Sequence, residues 1–203
     1  FLASRFGATR FTRPQLPVIP LGVDTAAYAS DDALRAQART ALGIGALDAA
    51  VLFVGRLIPV KALTLLIDAI GQLSAAGQAV RLTVVGDGPL RAEWERHAQT
   101  RGLGELVHFV GNQTLSDVAS FMQRCHVFCL PSVRESGGAV VLEAMASARP
   151  VIAIRFGGPA ELVDDSVGAL VEPTGPQQVT ADLADLLQQV IRHPADWAAR
   201  GQA

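Results

Sequence analysis

The chain has 203 residues, half of them hydrophobic, with a formal net charge of −2, which suits one folded domain and excludes a disordered chain. The near-neutral charge excludes a strongly basic surface, so no nucleic-acid partner is expected. No apolar run approaches the roughly 20 residues that a membrane-spanning helix needs, and two cysteines are too few for a disulfide framework, which favours a reducing, cytoplasmic setting.

The first quarter of the chain lacks the regular alternation that follows it. Three prolines predict an extended segment over residues 15–20, and the apolar spacing predicts a helix over 31–42. The chain opens at Phe1 in the middle of a pattern, so we expect a fragment of a longer protein. We interpret residues 1–16 as the remnant of an N-terminal domain and linker, and 17–203 as one domain.

Beyond residue 45, short apolar runs alternate with amphipathic stretches. The apolar runs predict strands buried on both faces, at 51–54, 82–85, 107–110, 127–130, 151–154 and 169–171. The stretches between and after them predict helices at 62–76, 90–101, 116–124, 138–148, 159–163 and 177–191. This order predicts an α/β fold with a Rossmann-like, doubly wound parallel sheet of about six strands.

The loop after the first strand carries two cations. Gly55 and Arg56 follow the strand, and Lys61, the one lysine of the chain, comes five residues after Arg56. Ligands of such sheets bind at the carboxyl ends of the strands, where an arginine and a lysine can neutralise a diphosphate. A surface arginine and lysine beside a tight turn would give the same local pattern.

The stretch after the fourth strand holds two carboxylates and a glycine pair. Glu135 lies on the predicted loop, and Glu143 lies eight residues later inside the predicted helix. Gly137 and Gly138 offer backbone amides at the start of that helix, where the helix dipole favours an anion. Either carboxylate can accept hydrogen bonds from sugar or ribose hydroxyls, and the apolar neighbours of Glu143 require that it have a partner.

The remaining reactive side chains show no pattern of a metal or redox site. The four histidines are scattered and lack the spacing of metal ligands, so no metal is expected. Cys125 and Cys129 straddle a helix end and a strand, which indicates packing in the core. Gly86 and Gly88 lack the third glycine of a dinucleotide fingerprint.

Taken in order, these segments resemble the C-terminal domain of the family-4 retaining glycosyltransferases, which have the two-domain GT-B fold. The resemblance covers roughly residues 15 to 192 and rests on four motifs. They are Ile19–Asp24, Gly55–Leu57 with Lys61, Val85–Leu90, and Glu135 to Glu143, which matches the E-x7-E motif and is followed by Pro150–Ile152 and Gly157-Gly158.

The resemblance implies a role for each matching residue. It implies transfer of a hexose from a UDP-, GDP- or ADP-sugar to a lipid, polysaccharide or small-molecule acceptor, with retention of configuration and without a cofactor, a metal or an assured protein nucleophile. Catalytic roles fall to Arg56 and Lys61 on the diphosphate and to Glu135 near the transferred sugar. Donor-binding roles fall to Gly55 in the diphosphate loop, Gly111 near the base, the amides of Gly137, Gly138 and Ala139, and Glu143 on the ribose.

Three positions depart from the common family pattern. Ala62 and Ala148 stand where many members have glycine, and Gly137 stands where many have phenylalanine. The missing phenylalanine can alter the sugar pocket, so the resemblance does not imply which sugar the donor carries. The resemblance also places the acceptor site in an N-terminal domain that is missing, so the chain is expected to bind donor without catalysing transfer. A cytoplasmic bacterial protein is expected, and peripheral association with the inner face of a membrane stays open.

Other functions compatible with the residues are a nucleotide-sugar epimerase or a sugar phosphorylase on the same fold, and a non-catalytic module that binds sugar nucleotides. A phosphorylase would need a lysine for pyridoxal phosphate, and the one lysine lies in the diphosphate loop. An NAD dehydrogenase is the most distant alternative.

Overall fold

The computed structural model describes residues 22–28, 49–78 and 80–202. The predictions for residues 1–16, 15–20 and 31–42 lie outside this part of the chain. The described strands are β1 (Ala49–Val54), β2 (Val80–Val85), β3 (Val107–Gly111), β4 (Val127–Leu130), β5 (Val151–Ile154) and β6 (Gly168–Val171). The described helices are α1 (Thr25–Tyr28), α2 (Leu63–Ala75), α3 (Arg91–Thr100), α4 (Leu115–Arg124), α5 (Ala139–Ala146), α6 (Gly158–Leu162), α7 (Pro176–Arg192) and α8 (Pro194–Arg200).

The strands form one sheet in the order β3-β2-β1-β4-β5-β6, and every pair of neighbours is parallel. This order confirms the predicted α/β fold with its Rossmann-like sheet of six strands. The chain runs outward from β1 through β2 to β3, and then returns to place β4 on the other side of β1. The direction of winding therefore reverses between β1 and β4.

The core lies on both faces of the sheet. Every residue of β4 and β5 is buried, and Phe53 of β1 and Phe128 of β4 are fully inaccessible. This burial explains why the strands read as unbroken apolar runs in the sequence. Cys125 and Cys129 are buried within the same core, as their predicted packing role requires.

Two short α-helices were not predicted, and three predicted helices are shorter than expected, α5 by the most. α1 begins at Thr25, and α8 begins at Pro194 and is anchored by the buried Trp197. α5 ends at Ala146, two residues earlier than predicted, because the backbone reaches the left-handed region at Ala148 with φ 51°. No helix in the described segments combines the length and the hydrophobicity needed to cross a bilayer.

Candidate functional site

The candidate residues lie on loops that leave the carboxyl ends of the strands. Arg56 and Lys61 follow β1, whereas Glu135 to Ala139 follow β4. β1 and β4 are paired neighbours, and the winding reverses between them. In open parallel sheets the crevice at such a reversal is where ligands bind. The two predicted halves of the site are therefore placed on either side of this crevice.

The loop after β1 is held down by a buried leucine. Leu57 is fully inaccessible, and its amide donates to the carbonyl of Asp87 at 2.9 Å. Its neighbour Arg56 is exposed, and none of the described residues forms an ion pair with it. A single turn of 3-10 helix, Pro59–Lys61, then carries the chain toward α2. The loop thus has a rigid base and an accessible guanidinium.

Lys61 reaches across to the loop after β4. Its Nζ lies 2.5 Å from Oε2 of Glu135, and both side chains are only 15% exposed. The backbone joins the same two loops, because the amide of Val133 donates to the carbonyl of Val60 at 2.9 Å. The structure therefore brings together two of the predicted catalytic residues from opposite sides of the crevice.

Glycines allow the neighbouring loops to approach the site closely. Gly86, after β2, has φ 125°, and a Cβ there would lie 2.0 Å from the carbonyl oxygen of Gly55. Gly157, after β5, has φ 61°, and a Cβ would lie 1.7 Å from the carbonyl oxygen of Glu135. Any side chain at either position would displace backbone. The loops after β1 and β4 are thus each buttressed by a glycine from the next strand outward.

The N-terminus of α5 presents backbone amides to the crevice. Gly138 caps the helix in the left-handed conformation, with φ 70° and ψ 35°, and Ala139 begins it. Among the described residues, none accepts a hydrogen bond from the amides of Gly137, Gly138 or Ala139. Free amides together with the helix dipole favour a bound anion at this end.

Glu143 lies in the second turn of the same helix and is half-buried. Burial raises the pKa of its carboxyl, and a hydrogen bond from the Tyr28 hydroxyl acts in the opposite direction. Tyr28, on α1, is 5% exposed. The sequence indicated that Glu143 needs a partner but gave no sign that Tyr28 provides it, because the two residues are far apart in the chain.

Of the other two predicted glycines, Gly55 lies in the crevice and Gly111 lies farther along the sheet. Gly55 is the first residue after β1, and the stem of Lys61 packs over it, with Cε 3.5 Å from where its Cβ would be. Gly111 ends β3, two strands from β1, and its carbonyl accepts from the amide of Gly86 at 2.8 Å. Backbone contacts therefore connect Gly111 to the loops of the crevice, and Nη1 of Arg91 lies 3.1 Å from where its Cβ would be.

This arrangement can bind an anion that also carries hydroxyl groups. Arg56, Lys61 and the amides at the start of α5 supply positive charge and hydrogen-bond donors. Glu135 and Glu143 supply acceptors for hydroxyl groups. Within the described segments, no group of three or more histidines, cysteines and carboxylates is arranged to hold a metal ion. His126 has a structural contact, since its Nδ1 accepts from the amide of Ala50 at 2.9 Å.

Comparison with known proteins identifies the family. The family model of the group 1 glycosyl transferases matches residues 35–203. A GDP-mannose-dependent alpha-(1-6)-phosphatidylinositol monomannoside mannosyltransferase of Mycolicibacterium smegmatis is 32% identical over 203 aligned positions, which cover 96% of this chain and 53% of the relative. Across the first curated relatives, the chain spans between 36% and 53% of their length.

Solved structures agree with the fold of this family. HepE of Anabaena, in complex with UDP and glucose, superposes with a TM-score of 0.81 at 27% identity, over 98% of this chain and 53% of HepE. The C-terminal domain of a group 1 glycosyl transferase, LpcC of Francisella tularensis, superposes with a TM-score of 0.73 at 26% identity, over 89% of this chain and 93% of that domain. The expected GT-B relationship is confirmed.

Proposed function

The chain belongs to the group 1 glycosyltransferases, and we propose that it is the donor-binding part of a retaining hexosyltransferase that uses a nucleoside-diphosphate sugar. The observation that supports this most directly is the meeting of Lys61 and Glu135 at 2.5 Å where the winding of the sheet reverses. A cation for the diphosphate and a carboxylate for the sugar are thus adjacent. A nucleoside-diphosphate sugar requires this, because its phosphate is bonded directly to the sugar.

The donor is proposed to lie across the crevice from the β1 side to α5. Arg56 and Lys61 bind the diphosphate together with the amides of Gly137, Gly138 and Ala139. Glu135 accepts from hydroxyls of the hexose, and Glu143 accepts from the ribose. Gly55 allows the diphosphate loop to come close, and Gly111 lies toward the base. HepE has been solved with UDP and glucose, whereas the mycobacterial relative is GDP-mannose-dependent, so the base is left to experiment.

In the proposed reaction, the bond between the anomeric carbon and the phosphate oxygen breaks, and an acceptor oxygen bonds to that carbon on the same face. The acceptor hydroxyl gives its proton to the departing phosphate oxygen. Negative charge grows on that phosphate as the bond breaks, and two fixed cations with free amides stabilise the charge without reorganising. The proposal assigns this task to residues of the chain, with no metal or other cofactor.

The acceptor site is proposed to lie in an N-terminal domain of a longer protein, because the chain spans about half of the mycobacterial relative. A lipid, polysaccharide or small molecule would be the acceptor. We place the protein in a bacterial cytoplasm, with peripheral association at the inner membrane face where the acceptor is a lipid. Without its acceptor site, the chain is expected to bind donor but not to transfer sugar, and robust transfer by the chain alone would contradict this.

Calorimetric titration of the chain with UDP, GDP and ADP, and then with their sugar conjugates, tests the proposal. Each titration is made with and without magnesium. Arg56→Ala and Glu143→Ala are the test variants, and Arg96→Ala, which changes an exposed arginine on α3, is the matched control. We expect the wild-type chain to bind one nucleoside diphosphate without magnesium. Its affinity should fall at least about tenfold in both test variants and should be unchanged in the control.

A chain that binds none of these nucleotides, together with a full-length protein that also binds none, would overturn the proposal. Binding of donor by the full-length protein without transfer to any acceptor would favour a non-catalytic module. Exchange of configuration within the sugar nucleotide would favour the epimerase.

A further inference from the structure

Glu143 is placed where an isolated carboxylate is costly. α5 has the sequence AVVLEAMA, so Glu143 is the one polar side chain of the helix. Its side chain is half-buried, and the burial raises its pKa. A carboxylate in such surroundings needs hydrogen-bond donors to remain ionised. Its neighbours within α5 are apolar, so the donors come from another element, from a ligand or from water.

The donor is the hydroxyl of Tyr28. α1 packs against α5, and Tyr28 is 5% exposed. Burial and the nearby Glu143 charge both raise the pKa of the phenol. The phenol therefore stays protonated at neutral pH and can donate its hydrogen to the Glu143 carboxylate. A short helix before β1 is in this way tied to a side chain of the proposed donor site.

We propose that Tyr28 is a positioning residue whose hydroxyl fixes the Glu143 carboxylate in the orientation that accepts hydrogen bonds from both ribose hydroxyls of the donor nucleotide. The inference rests on the proposed function, since it needs a nucleotide with a ribose at Glu143. A carboxylate has about four acceptor positions. Tyr28 occupies one of them and leaves about three, which is enough for the two hydroxyls.

The physical reason is orientation. The terminal torsion of a glutamate is broad and roughly two-fold, so an unrestrained carboxylate samples many angles. A hydrogen bond from a buried ring, which itself has only two side-chain torsions, removes this freedom before the ligand arrives. The entropic cost of fixing the Glu143 carboxylate is then no longer part of the binding free energy, so it does not reduce the affinity. The effect is limited to ligands that use the carboxylate, which distinguishes positioning from a general loss of folded structure.

Tyr28→Phe tests the inference, because it removes the hydroxyl and keeps the ring. Wild type, Tyr28→Phe, Glu143→Gln and the double variant are titrated with UDP, or with whichever of GDP and ADP binds wild type, and with the 2′,3′-dideoxy form of the same nucleotide. Thermal denaturation of each variant checks the fold. We expect Tyr28→Phe to weaken the ribonucleotide about fivefold to tenfold and the dideoxy form less than about twofold.

In the Glu143→Gln background, Tyr28→Phe should have no further effect on either ligand. Equal weakening of both ligands by Tyr28→Phe, or no weakening of the ribonucleotide, would overturn the inference and leave the proposed function standing. A wild-type chain and full-length protein that bind no nucleotide would overturn the proposed function and this inference with it.

A second measurement needs no substitution. Tyr28 is the one tyrosine of the chain, so isotope-labelled tyrosine gives one NMR signal for the ring carbon that bears the hydroxyl. Its position reports the hydrogen bond to Glu143. We expect the signal to shift when the nucleoside diphosphate binds and to stay in place when inorganic pyrophosphate binds. A signal that responds alike to both ligands, or to neither, would overturn the inference.

Discussion

Nζ of Lys61 lies 2.5 Å from a carboxylate oxygen of Glu135, a residue 74 positions away in the chain. Each side chain is 15% exposed, so water screens the pair only weakly. An ammonium has three donors, which allows Lys61 to keep Glu135 while it binds a phosphate oxygen. The pair therefore couples the two sides of the crevice, and changing either partner should have different effects on the nucleotide and on its sugar conjugate.

Replacing Lys61 by glutamine should weaken the nucleoside diphosphate by roughly tenfold to a hundredfold, because a charge-assisted contact to phosphate is lost. Lys61→Arg keeps the charge but not the compact ammonium, so its effect should be intermediate. Calorimetric titration of the three proteins measures the order. A glutamine variant that binds as tightly as wild type would show that Lys61 does not contact the diphosphate.

Replacing Glu135 by glutamine should separate nucleotide binding from sugar binding. Without the carboxylate, Lys61 is free to interact fully with phosphate, so affinity for the nucleoside diphosphate should stay equal or rise by about twofold to fivefold. Affinity for the sugar conjugate should rise less or fall, because a carboxylate acceptor for the sugar hydroxyls is lost. The ratio of the two affinities is the readout, and an unchanged ratio would remove Glu135 from the sugar site.

Strands β1, β4 and β5 could be predicted from the sequence because they are buried on both faces. The edge strand β3 was also predicted as buried on both faces, but its His108 is exposed. Val127–Leu130 and Val151–Ile154 are unbroken apolar runs, and both were predicted at their observed bounds. The end of α5 was not, since it depends on Ala148 adopting φ 51°, and alanine gives no local signal for a left-handed turn. The family resemblance indicated only that Ala148 stands where many members have glycine.

The site could be predicted as a set of loops but not as a set of contacts. The rule for parallel sheets placed Arg56, Lys61 and Glu135 at the same edge. The ion pair between Lys61 and Glu135 depends on how two loops that are distant in the chain meet. The spacing of residues in the sequence does not predict this. Tyr28 was missed for the same reason, because its hydrogen bond to Glu143 forms only after α1 packs on α5.

Gly157→Ala should destabilise the chain and loosen the site. A Cβ at this position would lie 1.7 Å from the carbonyl oxygen of Glu135, and the residue has φ 61°. The left-handed conformation alone costs an alanine about 1–2 kcal/mol, and displaced backbone adds to this, for a total of about 2–4 kcal/mol. Urea denaturation measures it against Gly104→Ala, whose Cβ would meet nothing within 4 Å. Equal effects of both changes would contradict the prediction.

Ala62→Gly and Ala148→Gly should each stabilise the chain. These are the two non-glycine residues with positive φ in the described segments, at 45° and 51°. Relief of about 1–2 kcal/mol exceeds the entropic cost of glycine, about 0.5–1 kcal/mol, so a net gain of about 0.5–1 kcal/mol is expected. Ala181→Gly, inside α7, is the control and should lose stability instead. A loss at positions 62 and 148 as well would refute the assigned strain.

Glu143 should make stability depend on pH. Burial is the main cause of its raised pKa, which the hydrogen bond from Tyr28 partly offsets. Within the described part of the chain, the titratable groups on the elements packed against α5 are Tyr28 on α1, Glu161 on α6 and Cys129 on β4, whose thiol pKa is itself raised by burial. Of these, Tyr28 is the one that hydrogen-bonds Glu143.

A carboxyl whose pKa is higher in the native chain binds its proton more tightly there than in the unfolded chain. Its contribution to stability is therefore greatest below the ordinary glutamate pKa of about 4.3 and is lost as pH rises through the raised native value. Glu143→Gln removes this loss. The stability of the variant relative to wild type should rise with pH from about 4.3 upward and then level off, while its affinity for the nucleotide stays low throughout. Urea denaturation across this range measures the difference, and a difference that is constant or that falls with pH would show that burial does not govern the carboxyl.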